Sequence, residues 1–277
     1  MSTPTTDPTT DPIRTIGPKH RALWASGDYG TVASDLIPGL GAVLVEAAGV
    51  RPGQRVLDVG AGTGNASIPA AAAGAEVVAS DLTPELLDQG RLIARSRGLD
   101  LEWVEADAQQ LPFETGEFDV VVSCVGAMFA PFHERAAAEM LRVCRTGGTI
   151  GMINWTPEGF VGQLFATMKP FAPPPPPGAR PAPLWGSEEH VRELFGAGVR
   201  NLRCEKRTYT LDVTDSPRDF REWWKRTYGP TLAVYMNVAD DAGRTAELDA
   251  AFLDFLTRTR TGGVWESEYL LVTAERA

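Results

Sequence analysis

The stretch Arg55-Val56-Leu57-Asp58-Val59-Gly60-Ala61-Gly62-Thr63-Gly64-Asn65 constrains this chain more than any other. Val56 to Val59 is a short apolar run carrying one acid, the pattern of a strand buried on both faces of a parallel sheet. It breaks into three alternating glycines, and an alanine-rich helical segment follows. Strand, glycine turn and helix outline a crevice for a nucleotide-like ligand. Glycine there lets the backbone approach a ligand with no Cβ in the way. By itself the glycine pattern does not name that ligand.

The rest of the chain repeats this plan. Lys19 to Ser26 and Val32 to Ala48 read as helices, and Asn65 is placed to cap a helix over Ala66 to Ala73. Further apolar strands are expected at Ala75 to Ser80, ending at Asp81, and at Leu101 to Ala106, ending at Asp107. Two more follow at Phe118 to Val125 and Thr149 to Trp155. Thr83-Pro84-Glu85 opens a helix that stops at Gly98, and another spans His133 to Arg145 before Gly147-Gly148. Five strands alternating with helices predict a parallel sheet with right-handed crossovers. Beyond Pro157 the alternation fails. Gly159 to Pro183 reads as irregular, with Pro173 to Pro177 a surface loop, and a helix capped at Ser187 runs to Phe195. Two late strands, Asn201 to Val213 and Ser267 to Ala274, bracket helices near Pro217 to Tyr228 and Ala242 to Thr259.

The domain layout follows. Residues 1–15 form a Thr/Pro/Asp-rich disordered tail, and 16–277 a single domain. Within it, 45–155 is the ligand-binding core, while 156–200 and 214–262 are insertions that cap it. A net charge of −10 with no Lys/Arg run argues against nucleic acid or an anionic membrane as partner. Cys124, Cys144 and Cys204 are isolated, so neither a disulfide framework nor a metal site is indicated, and reduced thiols fit a cytoplasmic protein. No apolar run approaches the ~18 residues of a membrane span.

In an open parallel sheet the ligand sits outside the carboxyl ends of the strands. Asp81 falls about twenty residues beyond the glycine loop, where a carboxylate can accept both ribose hydroxyls. The glycine spacing departs from the dinucleotide fingerprint, with Asn at 65, and no phosphate-binding P-loop sequence is present. The set formed by Val56 to Asn65, Asp81, Ala106-Asp107-Ala108-Gln109, Leu111-Pro112-Phe113 with Phe118 to Val121, and Leu141 to Gly148 resembles the class I S-adenosylmethionine-dependent methyltransferases. It is similar to their small-molecule branch, which includes quinone and sterol C-methyltransferases. Thr146 stands where that family usually has proline. The resemblance implies a Rossmann-like, doubly wound α/β fold with a seven-stranded, mostly parallel sheet. Its last strand is antiparallel, a role open to Glu268 to Ala274, and helical N-terminal and inserted segments form a substrate cap.

The resemblance also implies roles. Gly60, Ala61 and Gly62 face the methionyl part of S-adenosylmethionine through backbone groups, with Asn65 in the same motif, and Asp58 orients its ammonium. Asp81 holds the ribose, Leu82 lies on the adenine, Asp107 and Ala108 read its edge, and Ser123 and Cys124 approach through carbonyls. His133, at a helix start where the dipole keeps imidazole neutral, is the expected base if the acceptor arrives protonated. Trp24, Tyr29, Met128, Phe129 and Trp155 are the expected acceptor pocket, with Trp185, Trp223, Trp224 and Tyr228 as further candidates and core packing as the alternative for each. The [DN]-P-P-[YF] segment of nucleic-acid amino-methyltransferases is replaced by Cys124-Val125-Gly126-Ala127. A small, apolar or aromatic metabolite is therefore the expected substrate. An NAD(P)-dependent oxidoreductase and a non-catalytic cofactor-binding protein are the alternatives.

Overall fold

The computed structural model describes the backbone of residues 12–277 and the side chains of 16–277. The expected tail at 1–11 lies outside the described residues. The first helix, α1 (Pro12–Ala25), takes in 12–15, which the sequence placed in that tail.

From there the chain alternates as expected. A short helix α2 (Tyr29–Thr31) continues as a wider π-type turn over Val32–Leu36 and leads to α3 (Leu40–Ala47). Then come β1 (Arg55–Val59), α4 (Ser67–Ala72), β2 (Glu76–Asp81), α5 (Pro84–Ser96), β3 (Glu102–Glu105) and β4 (Phe118–Cys124). α6 (His133–Val143) leads to β5 (Cys144–Trp155), and α7 (Phe160–Met168) and α8 (Glu188–Phe195) to β6 (Val199–Leu211). The chain ends with α9 (Pro217–Thr227), α10 (Gly229–Val238), α11 (Ala242–Thr259) and β7 (Trp265–Arg276).

The seven described strands form one sheet in the order β3-β2-β1-β4-β5-β7-β6. β1 to β5 pair in parallel, and β7 inserts antiparallel between β5 and β6. The expected antiparallel strand is thus present and longer than anticipated. Strand order reverses between β1 and β4, the switch point at which such sheets open a crevice. Val56, Leu57, Val59, Val120, Val121 and Val122 are fully buried there, as continuous apolar runs in a sheet covered on both faces require.

Several local readings need correction. The single helix expected over Val32 to Ala48 breaks at Ile37-Pro38-Gly39, because proline lacks the N–H that would continue the ladder. Asn65 caps nothing. Ala66 occupies the cap of α4 without a side-chain bond, and Asn65 Nδ2 donates instead to the Ile37 carbonyl at 3.3 Å. The Gly147-Gly148 pair lies inside β5, at an irregularity between the Phe118–Cys144 and Val120–Thr149 pairings. α7 sits within the stretch expected to be irregular, and α10 was not anticipated; each is an apolar segment whose helical period is weak. Among the described residues no single helix is long and apolar enough to cross a membrane. The bent pair 29–36 and 40–47 has the combined length, but Val32, Leu36, Leu40 and Leu44 are buried in the core.

Candidate active site

At the carboxyl ends of β1, β2, β3 and β4 lies an open cleft of about 1060 Å³, part of it solvent at the mouth. A cleft at this edge of the sheet is where such folds bind ligands. Its floor is the glycine loop. Gly60 and Ala61 N–H both donate to the Ser80 carbonyl at 2.9 Å, so the loop is pinned to β2. Gly62 N–H donates to Asp81 Oδ2 at 2.8 Å, while Thr83 N–H donates to Asp81 Oδ1 at 2.9 Å. One carboxylate therefore joins the glycine loop to the start of α5. Burial pushes the Asp81 pKa up against these hydrogen bonds.

The loop is shaped by close backbone approach. Gly60 has φ +70, and a Cβ on it would stand 2.8 Å from the Gly126 Cα. The neighbouring Val125 holds φ 54, a conformation costly for a β-branched residue, and its N–H donates to the Ile153 carbonyl at 2.8 Å. The exits of β1 and β4 thus press backbone on backbone beside the cleft. Gly62, at φ +55, faces open space, since a Cβ there would meet no protein atom within 4 Å.

Asp58 is fully buried behind the loop. Its Oδ2 accepts from Ser67 Oγ at 2.6 Å, but Oδ1 has no partner. Burial raises its pKa to about 6, with Ser67 opposing and Asp81 adding to the shift. A buried, unpaired carboxylate oxygen is a costly group that a ligand cation would satisfy. Open space over Gly62 and this orphaned oxygen are the two features that fit an amino-acid tail passing over the loop.

The opposite wall is aromatic and comes from segments far apart in sequence. Trp24 of α1 packs on Phe129 at 4.7 Å and on Tyr29 at 5.4 Å, and Trp155, Trp224 and Tyr228 complete it. Arg21 ties α1 across the cofactor side through Glu85 at 3.3 Å and Glu105 at 3.2 Å. Among the described residues no lysine or arginine lines the cleft. His20 does line it. The Trp24 indole, which can only donate, points its N–H at His20 Nε2 from 3.1 Å, fixing the neutral ring with its proton on Nδ1. Burial lowers the His20 pKa, against the field of Asp107.

The sequence-derived residues fall into two groups. Gly60, Ala61, Gly62, Asn65, Asp81, Leu82, Asp107, Ala108 and Cys124 line the cleft, as do Trp24, Tyr29, Phe129 and Trp155. Four others do not. Asp58 sits behind the loop. Ser123 is buried, donating to the Val59 carbonyl at 2.7 Å and accepting from Ala127 N–H at 2.8 Å. Met128 is fully buried core. His133 is the principal correction. It is fully buried beneath Trp185, with Nδ1 2.9 Å from His190 Nε2, and burial next to His190 lowers its pKa to about 4. The first turn of α6 faces α8 and not the cleft, so a neutral histidine there has no acceptor to reach. Of the further candidates, Trp224 and Tyr228 line the cleft, whereas Trp185 and Trp223 lie outside it. Their aromatic character marked all four as candidates without saying which would meet core and which cavity. His20 carried no such signal.

Residues 56–148 match the family model described as "Methyltransferase domain". An uncharacterised protein of Mycobacterium tuberculosis is 46% identical over 263 residues, covering 95% of this chain and 96% of its own. A demethylmenaquinone methyltransferase of Renibacterium salmoninarum is 43% identical over 118 residues, 43% of this chain and 48% of that protein. Among solved structures, a geranyl diphosphate methyltransferase in complex with SAM superposes with a TM-score of 0.51 at 19% identity. It covers 86% of this chain and 84% of that one, a likeness of fold.

Proposed function

Because the chain belongs to the class I S-adenosylmethionine-dependent methyltransferases, we propose that its cleft methylates an uncharged, apolar or aromatic small molecule. The observation that carries the substrate reading is the far wall, with six aromatic side chains and, among the described residues, no lysine or arginine. A phosphorylated or carboxylated acceptor would enter that wall without a countercharge, at a large desolvation cost.

S-adenosylmethionine supplies a methyl group on a positively charged sulfur, already electrophilic. The chain's own part is to orient two molecules and to exclude water. Asp81 takes the ribose hydroxyls while its bonds to Gly62 and Thr83 N–H keep it fixed. The Gly60 to Gly62 backbone carries the amino-acid tail, and Asp58 Oδ1 answers its ammonium. Leu82 covers one face of the adenine, and Asp107 with Ala108 meets its edge. Asn65 and Cys124 complete the floor. Trp24, Tyr29, Phe129 and Trp155 hold the acceptor against the methyl group and keep water out.

The test is transfer of radiolabelled methyl from the cofactor to a panel containing 2-naphthol, a hydroxynaphthoquinone and 2-naphthyl phosphate. Label on the uncharged members and none on the phosphate is the expected result. Preference for the phosphate overturns the reading, and cofactor binding with no transfer to any member of a broad panel favours a non-catalytic binding protein.

The Asp58 assignment has its own pH signature. The carboxyl ionises at about 6 in the free protein, and a bound ammonium favours the ionised form. Below that pH a proton must be displaced first, so S-adenosylhomocysteine affinity should fall roughly tenfold per unit, as linkage requires. Asp58→Asn should weaken binding at neutral pH and flatten this dependence; an unchanged profile removes the ammonium assignment.

A further inference from the structure

We infer that the Tyr228 hydroxyl is the acceptor's polar anchor, and that the acceptor therefore carries an uncharged phenol, enol or carbonyl oxygen. This rests on the acceptor reading of the aromatic wall.

The argument begins with the side chain's surroundings. Tyr228 closes α9 and is 5% exposed. Its ring stands edge-on to Trp224 at 4.8 Å, stacks near Phe165 at 6.3 Å and leans towards Tyr29 at 6.1 Å, so the phenol is held in one orientation. As a lining residue, it has the cleft as its outlet to solvent. Yet its hydroxyl has no hydrogen-bond partner among the described residues, and burial alone raises its pKa. The hydroxyl is not sealed from solvent, so its partner is whatever occupies the cleft beside it, water or a ligand. Here the partner is missing from the protein on the one face left open, and that face is the wall assigned to the acceptor.

Tyr29 sharpens the contrast. Its hydroxyl oxygen accepts from Gly229 N–H at 3.2 Å, and the field of Asp81 reaches it, which places it towards the ribose side. Tyr228 feels no such carboxylate. Its remaining neighbours are aromatic, so the group it meets belongs to the second molecule in the cleft. Its proton stays on at any working pH, which makes the phenol a donor, and the complementary atom is an oxygen lone pair. An apolar molecule with no oxygen fills the same wall but leaves the donor orphaned, the kind of mismatch by which a polar site rejects an analogue.

Tryptophan fluorescence of the S-adenosylhomocysteine complex, titrated with 2-naphthol and with naphthalene, tests this. The native protein should bind 2-naphthol about tenfold more tightly, on the order of one hydrogen bond. Tyr228→Phe should bring that ratio close to one and leave naphthalene and S-adenosylhomocysteine affinities unchanged. The variant removes no bond made within the protein, so it should fold normally, and its melting temperature checks this. Equal affinities in the native protein, or a ratio that survives the substitution, overturn the inference. Loss of S-adenosylhomocysteine affinity in the variant also overturns it, by assigning the hydroxyl to the cofactor. If neither naphthalene nor 2-naphthol binds the native complex, the aromatic-acceptor reading itself falls, and this inference with it.

Discussion

Asp81→Ala should weaken S-adenosylhomocysteine binding by about a hundredfold or more, read by titration calorimetry. Each hydrogen bond to a charged group contributes roughly 1.5–3 kcal/mol, and about 1.4 kcal/mol is a factor of ten, so losing the bonds to two ribose hydroxyls already reaches that scale. The structure adds a second loss. The same carboxylate accepts from Gly62 and Thr83 N–H, so alanine leaves both donors without a partner and frees the glycine loop from α5. Asp81→Asn separates the two contributions, because it keeps one carbonyl acceptor and the side-chain volume. An intermediate affinity is expected for it. Unchanged affinity in the alanine variant would remove the ribose assignment.

Two alanine substitutions in the floor of the cleft should behave in opposite ways. At Gly126 a Cβ would lie 2.3 Å from the Gly60 carbonyl oxygen and 2.8 Å from that of Val59. Both are backbone atoms at the end of a buried strand and cannot swing aside. Gly126→Ala should therefore cost about 2–3 kcal/mol of stability, as overpacking of a rigid interior does, and lower the melting temperature. At Gly62 a Cβ would meet no protein atom within 4 Å, so Gly62→Ala should cost only about 1 kcal/mol, for its left-handed backbone at φ +55. That methyl group would stand over the loop where the cofactor's tail is placed. Gly62→Ala should thus abolish S-adenosylhomocysteine binding in a protein that still melts cooperatively. If it binds normally, the tail does not cross the loop.

The contrast between these glycines also marks how far the sequence could be read. The glycine run, Asp81 and Asp107 were legible because each ends a strand, and strand ends in a parallel sheet converge on one edge by topology alone. The parallel pairing of the first five strands followed from their alternation with helices. Other readings failed where two physical causes share one sequence pattern. His133 opens a helix just past β4 as a catalytic group would, yet that helix turns it towards His190 and Trp185. Asn65 has the chemistry of a cap, but the helix begins one residue late and the amide reaches back to Ile37. In each case the deciding partner lies at least 28 residues away in sequence, beyond any local pattern.

The two halves of the acceptor wall meet through a small joint. Asp28 N–H donates to the Thr227 carbonyl at 2.8 Å, and Gly229 N–H donates to the Tyr29 hydroxyl 200 residues away at 3.2 Å. Few chain segments in this protein are further apart when they touch. Contacts of such separation pay the largest loop-closure entropy and form late in folding. A joint of so few hydrogen bonds also opens at a fraction of the global unfolding free energy. Amide hydrogen exchange at Asp28 and Gly229 should accordingly run ahead of exchange in β1 and β4. The contact between the N-terminal helices and α9–α10 is then the part of the aromatic wall that opens first, while Phe129 and Trp155 stay with the sheet.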